Sequence, residues 1–321
     1  MLKFYIFFTK HANLANYHVT LRIKMSFYGS TREESPGSTF SDRPKYCEID
    51  SSCPPTAGGK AVASEGKVNA EVASVPSVQL TTEQPARMKV LEIGPGMGVL
   101  SQYLLQRHDV DLRMIEIDDE SVEYLESHFP QAHGRVIFGD FLKLDIDELF
   151  PEEFHVIGNF PYNISSQIFF RIIDYRNRIP QTVCMIQKEV AERIAEKPGS
   201  KTYGILSVLL QAWYDIEYLF TVGSGAFAPP PKVQSAVIRL TRNRRTSLGC
   251  DENAFKNIVK TAFGQRRKTL RNSLKPIIAA KATKEGWDTE ALTSFTSAPV
   301  FELRPERLSV EDFIGLTNLL T

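Results

Sequence analysis

The sequence predicts an α/β protein, a mostly parallel, doubly wound sheet followed by a small all-α domain at the C-terminus. Three observations carry that expectation. The apolar run Lys89-Val-Leu-Glu-Ile93 leads into the glycine-rich turn Gly94-Pro-Gly-Met-Gly98 and then a helical face, which is the start of a βαβ unit. Strand-like and helix-like stretches then alternate as far as Leu240, the pattern of a sheet built by crossovers. Beyond Leu240 the apolar period becomes helical.

In chain order, Lys89 to Ile93 reads as a buried strand, and Leu100, Tyr103 and Leu104 share one helix face. Asp111-Leu-Arg-Met-Ile115 is the second strand, Glu120 to His128 a helix, Arg135-Val-Ile-Phe138 the third strand and His155-Val-Ile-Gly158 the fourth. Gln181-Thr-Val-Cys-Met-Ile186 and Ser235-Ala-Val-Ile-Arg-Leu240 are further strands. Helical stretches from Lys188 to Ala195 and from Tyr203 to Ala212 separate them. Asp251 is placed to cap a helix whose Phe255, Ile258, Val259 and Ala262 lie on one face. Ser309 and Asp312 form a variant capping box before Phe313, Leu316 and Leu320.

The first part of the chain reads differently. From about Ser26 to Arg87 it is rich in Ser, Thr, Gly, Pro, Ala and Glu without a sustained period, so residues 1–87 are expected to be an irregular or disordered extension. The apolar opening Met1 to Phe8 stops at Thr9-Lys10-His11, too short to span a bilayer or to serve as a secretory core. A cytoplasmic protein without a membrane segment is expected. The remainder divides into 88–243 and 244–321.

With 321 residues, 42% apolar and 24% charged, the chain has room for two ordinary globular domains. Lys plus Arg and Asp plus Glu are 38 each, so net charge neither implies nor excludes a polyanionic partner. Distribution says more: between Thr241 and Lys275 ten basic residues face only Asp251 and Glu252. Arg266, Arg267, Lys268 and Arg271 are expected on one basic helix, with Leu270 and Leu274 turned to its core, a surface suited to phosphates. A solvated charged face is the plainer alternative. Cys47, Cys53, Cys184 and Cys250 are scattered and match no zinc spacing, so reduced thiols and no metal are expected.

Gly94, Gly96 and Gly98 after a strand are, alone, a weak sign of a nucleotide loop. In the dinucleotide fingerprint the third glycine would stand at 99, which is Val99. That departure leans towards S-adenosylmethionine, which has no pyrophosphate to bind. Glu116, at a strand end, is placed to accept from two ribose hydroxyls, and Asp140, after the third strand, from an adenine amino group. A solvated strand-end acid is the alternative reading of Glu116; Asp118, Asp119 and Asp145 read as surface acids.

Asn159-Phe-Pro-Tyr162 follows the fourth strand. An exocyclic adenine nitrogen is a poor nucleophile because its lone pair is delocalised into the ring. An Asn amide oxygen and a neighbouring main-chain carbonyl can hold the NH2 in a pyramidal, attacking form. Pro161 biases Phe160 to an extended conformation and removes one donor, which suits aiming the Phe160 carbonyl at a ligand. Tyr162 supplies a flat face for a base. Ligands of open α/β sheets bind beyond the carboxyl ends of the strands, so the loops carrying Gly94, Glu116, Asp140 and Asn159 are expected to converge. Phe227-Ala-Pro-Pro-Pro-Lys-Val-Gln-Ser235 reads as a stiff loop presenting Phe227 to the second face of a flipped base, or as a plain rigid connector.

These motifs, together with Ile115-Glu-Ile-Asp118, Gln187-Lys-Glu-Val-Ala-Glu-Arg193, Phe263-Gly-Gln-Arg-Arg-Lys268 and Arg304-Pro-Glu-Arg-Leu308, resemble the ribosomal RNA small-subunit adenine dimethyltransferase family from about Met88 onward. The resemblance implies a Rossmann-like S-adenosylmethionine-dependent sheet. It further implies transfer of four methyl groups to N6 of two adjacent adenosines near the 3′ end of small-subunit rRNA, on an assembling subunit and by a monomer. By the same resemblance Glu92, Gly94, Gly96, Glu116, Asp140 and Asn159 contact the cofactor. Asn159, Phe160, Pro161, Tyr162 and Phe227 form the target-adenine site. The family's usual Leu or Ile at the second tetrapeptide position is Phe160 here. Its lysine-rich N-terminal segment with a Gly-Gln-aromatic motif finds no match between Met1 and Arg87. Two rivals follow: another amino methyltransferase, acting on DNA adenine, large-subunit rRNA or a glutamine amide, and a non-catalytic ribosome-assembly factor that has kept the RNA surface without turnover.

Overall fold

The computed structural model describes residues 87–227 and 231–321, together with the backbone of two strands, β1 (Leu2–Thr9) and β2 (Thr20–Phe27), which pair in a two-stranded sheet. These strands lie where the sequence suggests an irregular extension; residues 28–86 lie outside the described residues.

From Met88 the chain enters a seven-stranded sheet of β3 (Met88–Ile93), β4 (Val110–Glu116), β5 (Val136–Phe138), β6 (His155–Asn159), β7 (Gln181–Gln187), β8 (Tyr214–Val222) and β9 (Ser235–Arg242). Their order is β5-β4-β3-β6-β7-β9-β8. The first five strands named run parallel, and β9 pairs antiparallel with both β7 and β8. From β3 the chain winds outward to β4 and β5, then returns to lay β6 on the other side of β3. The sheet therefore reverses its winding between β3 and β6, and a crevice opens at the carboxyl ends of such a pair.

Both faces of the inner strands β3, β6 and β7 are largely buried, which explains why they read as continuous apolar runs, whereas the edge strand β5 leaves Phe138 exposed. On β3, Leu91 and Ile93 enter the large core, while Val90 points to the opposite face; it and Leu104, Leu112, Met114 and Leu125 are buried outside that cluster. That second face is covered by α1 (Ser101–Leu104) and α2 (Asp119–His128), the latter capped by the Asp118 carboxylate accepting from Ser121 N. The first face is covered by α4 (Ser165–Asp174), α5 (Lys188–Ala195) and α6 (Ile205–Gln211). A short α3 (Ile146–Leu149) precedes β6.

The C-terminal part is helical as expected: α7 (Glu252–Gly264), α8 (Leu270–Ser273), α9 (Lys275–Glu285), α10 (Thr289–Thr296) and α11 (Val310–Leu320). Asp251 caps α7 by accepting from Ala254 N at 2.7 Å, and Ser309 with Asp312 closes the capping box of α11. Phe255, Ile258, Val259 and Ala262 are all buried on one face of α7. Helices α7 and α11 pack on α6, so one continuous core runs from Leu91 to Leu320.

Two expectations need correction. Strand β8 was not anticipated; it is an outer strand with a register shift between Tyr218 and Phe220. Gln265 to Lys268 do not lie on one helix with Arg271. Helix α7 ends at Gly264, a poor helix former, and a turn closed by Lys268 N donating to Gln265 O precedes α8. Leu270 and Leu274 do point into the core.

Candidate active site

The glycine turn is a main-chain structure. Gly94, Gly96 and Gly98 have φ of 67°, 53° and 76°, the left-handed region that side chains disfavour. Gly98 has a second reason: a Cβ there would stand 2.6 Å from the Phe129 ring and 2.9 Å from Leu125. A Cβ on Gly96 meets nothing within 4 Å, so the space over the turn is open.

Glu116, at the end of β4, ties this turn to the neighbouring strand. Its Oε2 accepts from Gly96 N at 2.9 Å, and its Oε1 accepts from Ile117 N and Asp118 N at 2.8 and 3.1 Å. Three main-chain donors occupy a carboxylate with about four acceptor positions, which fixes its orientation and leaves Oε2 one lone pair to offer a ligand. Asp140 follows β5 and is half-buried. Its Oδ1 accepts from Leu142 N at 2.9 Å, and its Oδ2 lies 3.8 Å from Lys143 Nζ. Arg171 of α4 donates to the carbonyls of Leu142 and Leu144, fastening this acidic loop to the helix that follows the tetrapeptide.

Glu92 is 1% exposed, and its Oε2 has no hydrogen-bond partner among the described residues. Burial pushes its carboxyl up to about 8, the Ser101 hydroxyl pulls the other way, and the nearby Glu116 charge adds a smaller upward push. A neutral buried acid beside the turn is therefore the form present at neutral pH.

The tetrapeptide sits at the end of β6, next to the turn. Ile93 pairs with Gly158 in parallel register, so Gly94 and Asn159 are neighbours. A Cβ built on Gly94 would stand 3.7 Å from Asn159 O and 3.9 Å from Pro161 Cδ. Gly158 allows the approach, since a Cβ there would meet Ile93 O at 2.4 Å. The Asn159 side chain is exposed and makes no hydrogen bond among the described residues. Phe160 buries its ring, 1% exposed, edge-on to Phe169 at 5.7 Å, and its N–H donates to Met185 O at 3.0 Å. Its side chain thus serves the core and anchors the loop, consistent with the larger ring replacing an aliphatic residue. Tyr162 is half-buried, with its hydroxyl 2.5 Å from Ser235 Oγ.

Ser235 ends the proline loop that Phe227 begins. Phe227 caps a single 3-10 turn, and residues 228–230 between the two lie outside the described residues. Of the basic residues, Arg267 and Lys268 are exposed and Arg266 reaches Ser200 O at 3.4 Å. Arg271 is engaged: it pairs with Glu302 and donates to Thr296 O at 2.9 Å. Sequence reasoning did not pick out Ser235 or Arg171, whose partners stand 73 and 27 to 29 residues away in the chain.

A seven-stranded α/β sheet with a left-handed glycine turn, a strand-end glutamate and an exposed Asn at its winding reversal defines the Rossmann-like methyltransferase class. Residues 68–293 match the family model described as ribosomal RNA adenine dimethylase, and the chain belongs to that family. The match begins upstream of Met88, where the motifs alone gave no resemblance. The chain is 59% identical over 230 residues to "Ribosomal RNA small subunit methyltransferase A" of Parabacteroides distasonis, covering 72% of this chain and 82% of that one. It is 58% identical over 243 residues to the protein of the same name from Porphyromonas gingivalis, covering 75% and 89%. In architecture it is similar to a dimethyladenosine transferase from Plasmodium falciparum, with a TM-score of 0.59 and 25% identity over 72% of this chain and 90% of that one. Among the described residues no helix is long and apolar enough to cross a membrane.

Proposed function

We propose that this chain transfers methyl groups from S-adenosylmethionine to the N6 atoms of two adjacent adenosines near the 3′ end of small-subunit rRNA. It does so as a cytoplasmic monomer acting on an assembling subunit. Residues 88–243 hold donor and base, and 244–321 contribute RNA contacts. The observation that carries this reading is the van der Waals proximity of the Gly94 turn to Asn159 and Pro161, which puts a donor loop and a base loop at one crevice. The name shared by the bacterial relatives supports the choice of small-subunit rRNA over DNA or a protein amide.

The open space over Gly96, the lone pair left on Glu116 Oε2 and the half-buried Asp140 carboxylate fit a nucleoside that offers one ribose hydroxyl to Glu116 and an amino group to Asp140. When bound, S-adenosylmethionine supplies an activated methyl on a sulfonium. The chain's own groups do the rest. The Asn159 amide oxygen and the Phe160 carbonyl accept from the adenine NH2 and hold its lone pair towards the methyl. Tyr162 stacks on the base and, by a cation–π contact of ~0.5–2 kcal/mol, favours the charge that develops on nitrogen. Orientation of this kind can supply ~7–11 kcal/mol of the barrier. No strong base is required, because the methylated arylammonium loses its proton readily to water. Exposed Arg267 and Lys268 are suited to phosphate contacts that position the RNA.

The test is transfer of labelled methyl to small subunits that lack the modification, followed by mapping of the label. Label at adenine N6 in the wild type, and its loss in Asn159→Ala with subunit binding retained, supports the proposal. Tight binding without label supports the non-catalytic assembly factor instead.

A further inference from the structure

We propose that Ser235 is a positioning residue for methyl transfer: its buried hydroxyl clamps the Tyr162 phenol and so fixes the plane on which the target base stacks. The inference rests on the functional reading of Tyr162 above and adds a residue to it.

Ser235 is the first residue of β9, 0% exposed, and is held on both sides by register with Gln187 of β7 and Val222 of β8. It has no freedom to follow a moving partner. Its Oγ lies 2.5 Å from the Tyr162 hydroxyl, a contact between groups 73 residues apart. The other end of Tyr162 is also tied, since Ser165 Oγ, on a residue 3% exposed, donates to Tyr162 O at 3.2 Å. A tyrosine has two side-chain torsions, and a bond at the phenolic tip removes the swing that those torsions would otherwise permit. The same strand end is secured to α5, with Lys188 N donating to Gln234 O at 2.9 Å and Lys188 Nζ to Gln234 Oε1 at 3.3 Å. The Ser235 bond therefore joins the tetrapeptide to the start of β9.

The experiment measures single-turnover transfer of labelled methyl to unmodified small subunits, with KM for S-adenosylmethionine, subunit affinity and melting temperature recorded for each variant. Ser235→Ala and Tyr162→Phe are each expected to slow transfer about tenfold, the scale of one lost bond of ordinary strength. KM and subunit affinity stay within about twofold, because a misaligned platform acts on the step where reacting atoms must line up. The double variant is expected to be no slower than the slower single, since both changes remove one bond. Ser235→Thr, which keeps the hydroxyl, restores the rate; where its extra methyl lowers the melting temperature, the double-variant comparison decides. Wild-type rates in Ser235→Ala beside an inactive Asn159→Ala overturn this inference and leave the site reading standing. Rate losses that multiply in the double variant overturn it equally. Full activity of Asn159→Ala overturns the site reading, and this inference falls with it.

Discussion

The two sides of the crevice are built by different means. On the glycine side, geometry comes from the main chain: three residues at positive φ and a glutamate that accepts from three backbone N–H groups within its own and the neighbouring turn. On the tetrapeptide side, geometry comes from side chains: Phe160 packs on Phe169 in the core, and Tyr162 meets Ser235 from 73 residues away. A small ligand bound many times needs a fixed cradle, and backbone supplies one cheaply. On the proposed reading, the tetrapeptide side receives the base on a ring whose hydroxyl is held by Ser235.

The strongest perturbation falls at the seam between the two sides. Gly158→Ala places a Cβ 2.4 Å from Ile93 O, backbone against backbone, and β3 and β6 must part. A loss of more than about 3 kcal/mol is expected in chemical denaturation, with both sides of the crevice failing together. Gly98→Ala distorts one side only. Its φ of 76° and the Phe129 contact are expected to cost about 1–3 kcal/mol and to weaken S-adenosylhomocysteine binding in calorimetry, with subunit binding preserved.

Glu92 sharpens the contrast through pH. Its folded carboxyl titrates at about 8, above the ordinary glutamate value, so the native state holds an extra proton between the two. Its contribution is fully present below about pH 4.5 and is lost as pH rises through 8, with a span of at most about 5 kcal/mol. Glu92→Gln is expected to flatten the fall in denaturation free energy between about pH 4.5 and 8. An unchanged slope would mean that other groups set it.

The smallest effects lie on the basic surface. Arg267→Ala and Lys268→Ala are each expected to weaken subunit binding severalfold and to lower its salt dependence by about one unit of slope. Arg271→Ala changes binding less and stability more, because that guanidinium is already held by Glu302 and Thr296.

Legibility from sequence follows the same division. The parallel strands, the glycine turn, Glu116 and the tetrapeptide were readable because each is a local pattern whose chemistry is set by neighbours in the chain. The helix caps at Asp251 and Ser309 were readable for that reason too. Strand β8 is hard to read although Tyr214, Ile216 and Tyr218 alternate with Asp215 and Glu217, because it follows the apolar helix α6 directly and its bulge breaks the period of two. The Arg266 to Lys268 turn has no charge signal that separates it from a helix; its only local mark is Gly264, where α7 stops. Ser235 and Arg171 carry no local mark at all, since what distinguishes them is a partner far along the chain.

On the proposed reading, donor and base meet at the reversal between β3 and β6. A crystal structure with S-adenosylhomocysteine tests it most directly. The expected result is a ligand with its ribose on Glu116, its adenine beside Asp140 and its sulfur facing Asn159. Electron density for the ligand on the other face of the sheet, or anywhere out of reach of Asn159, would contradict it.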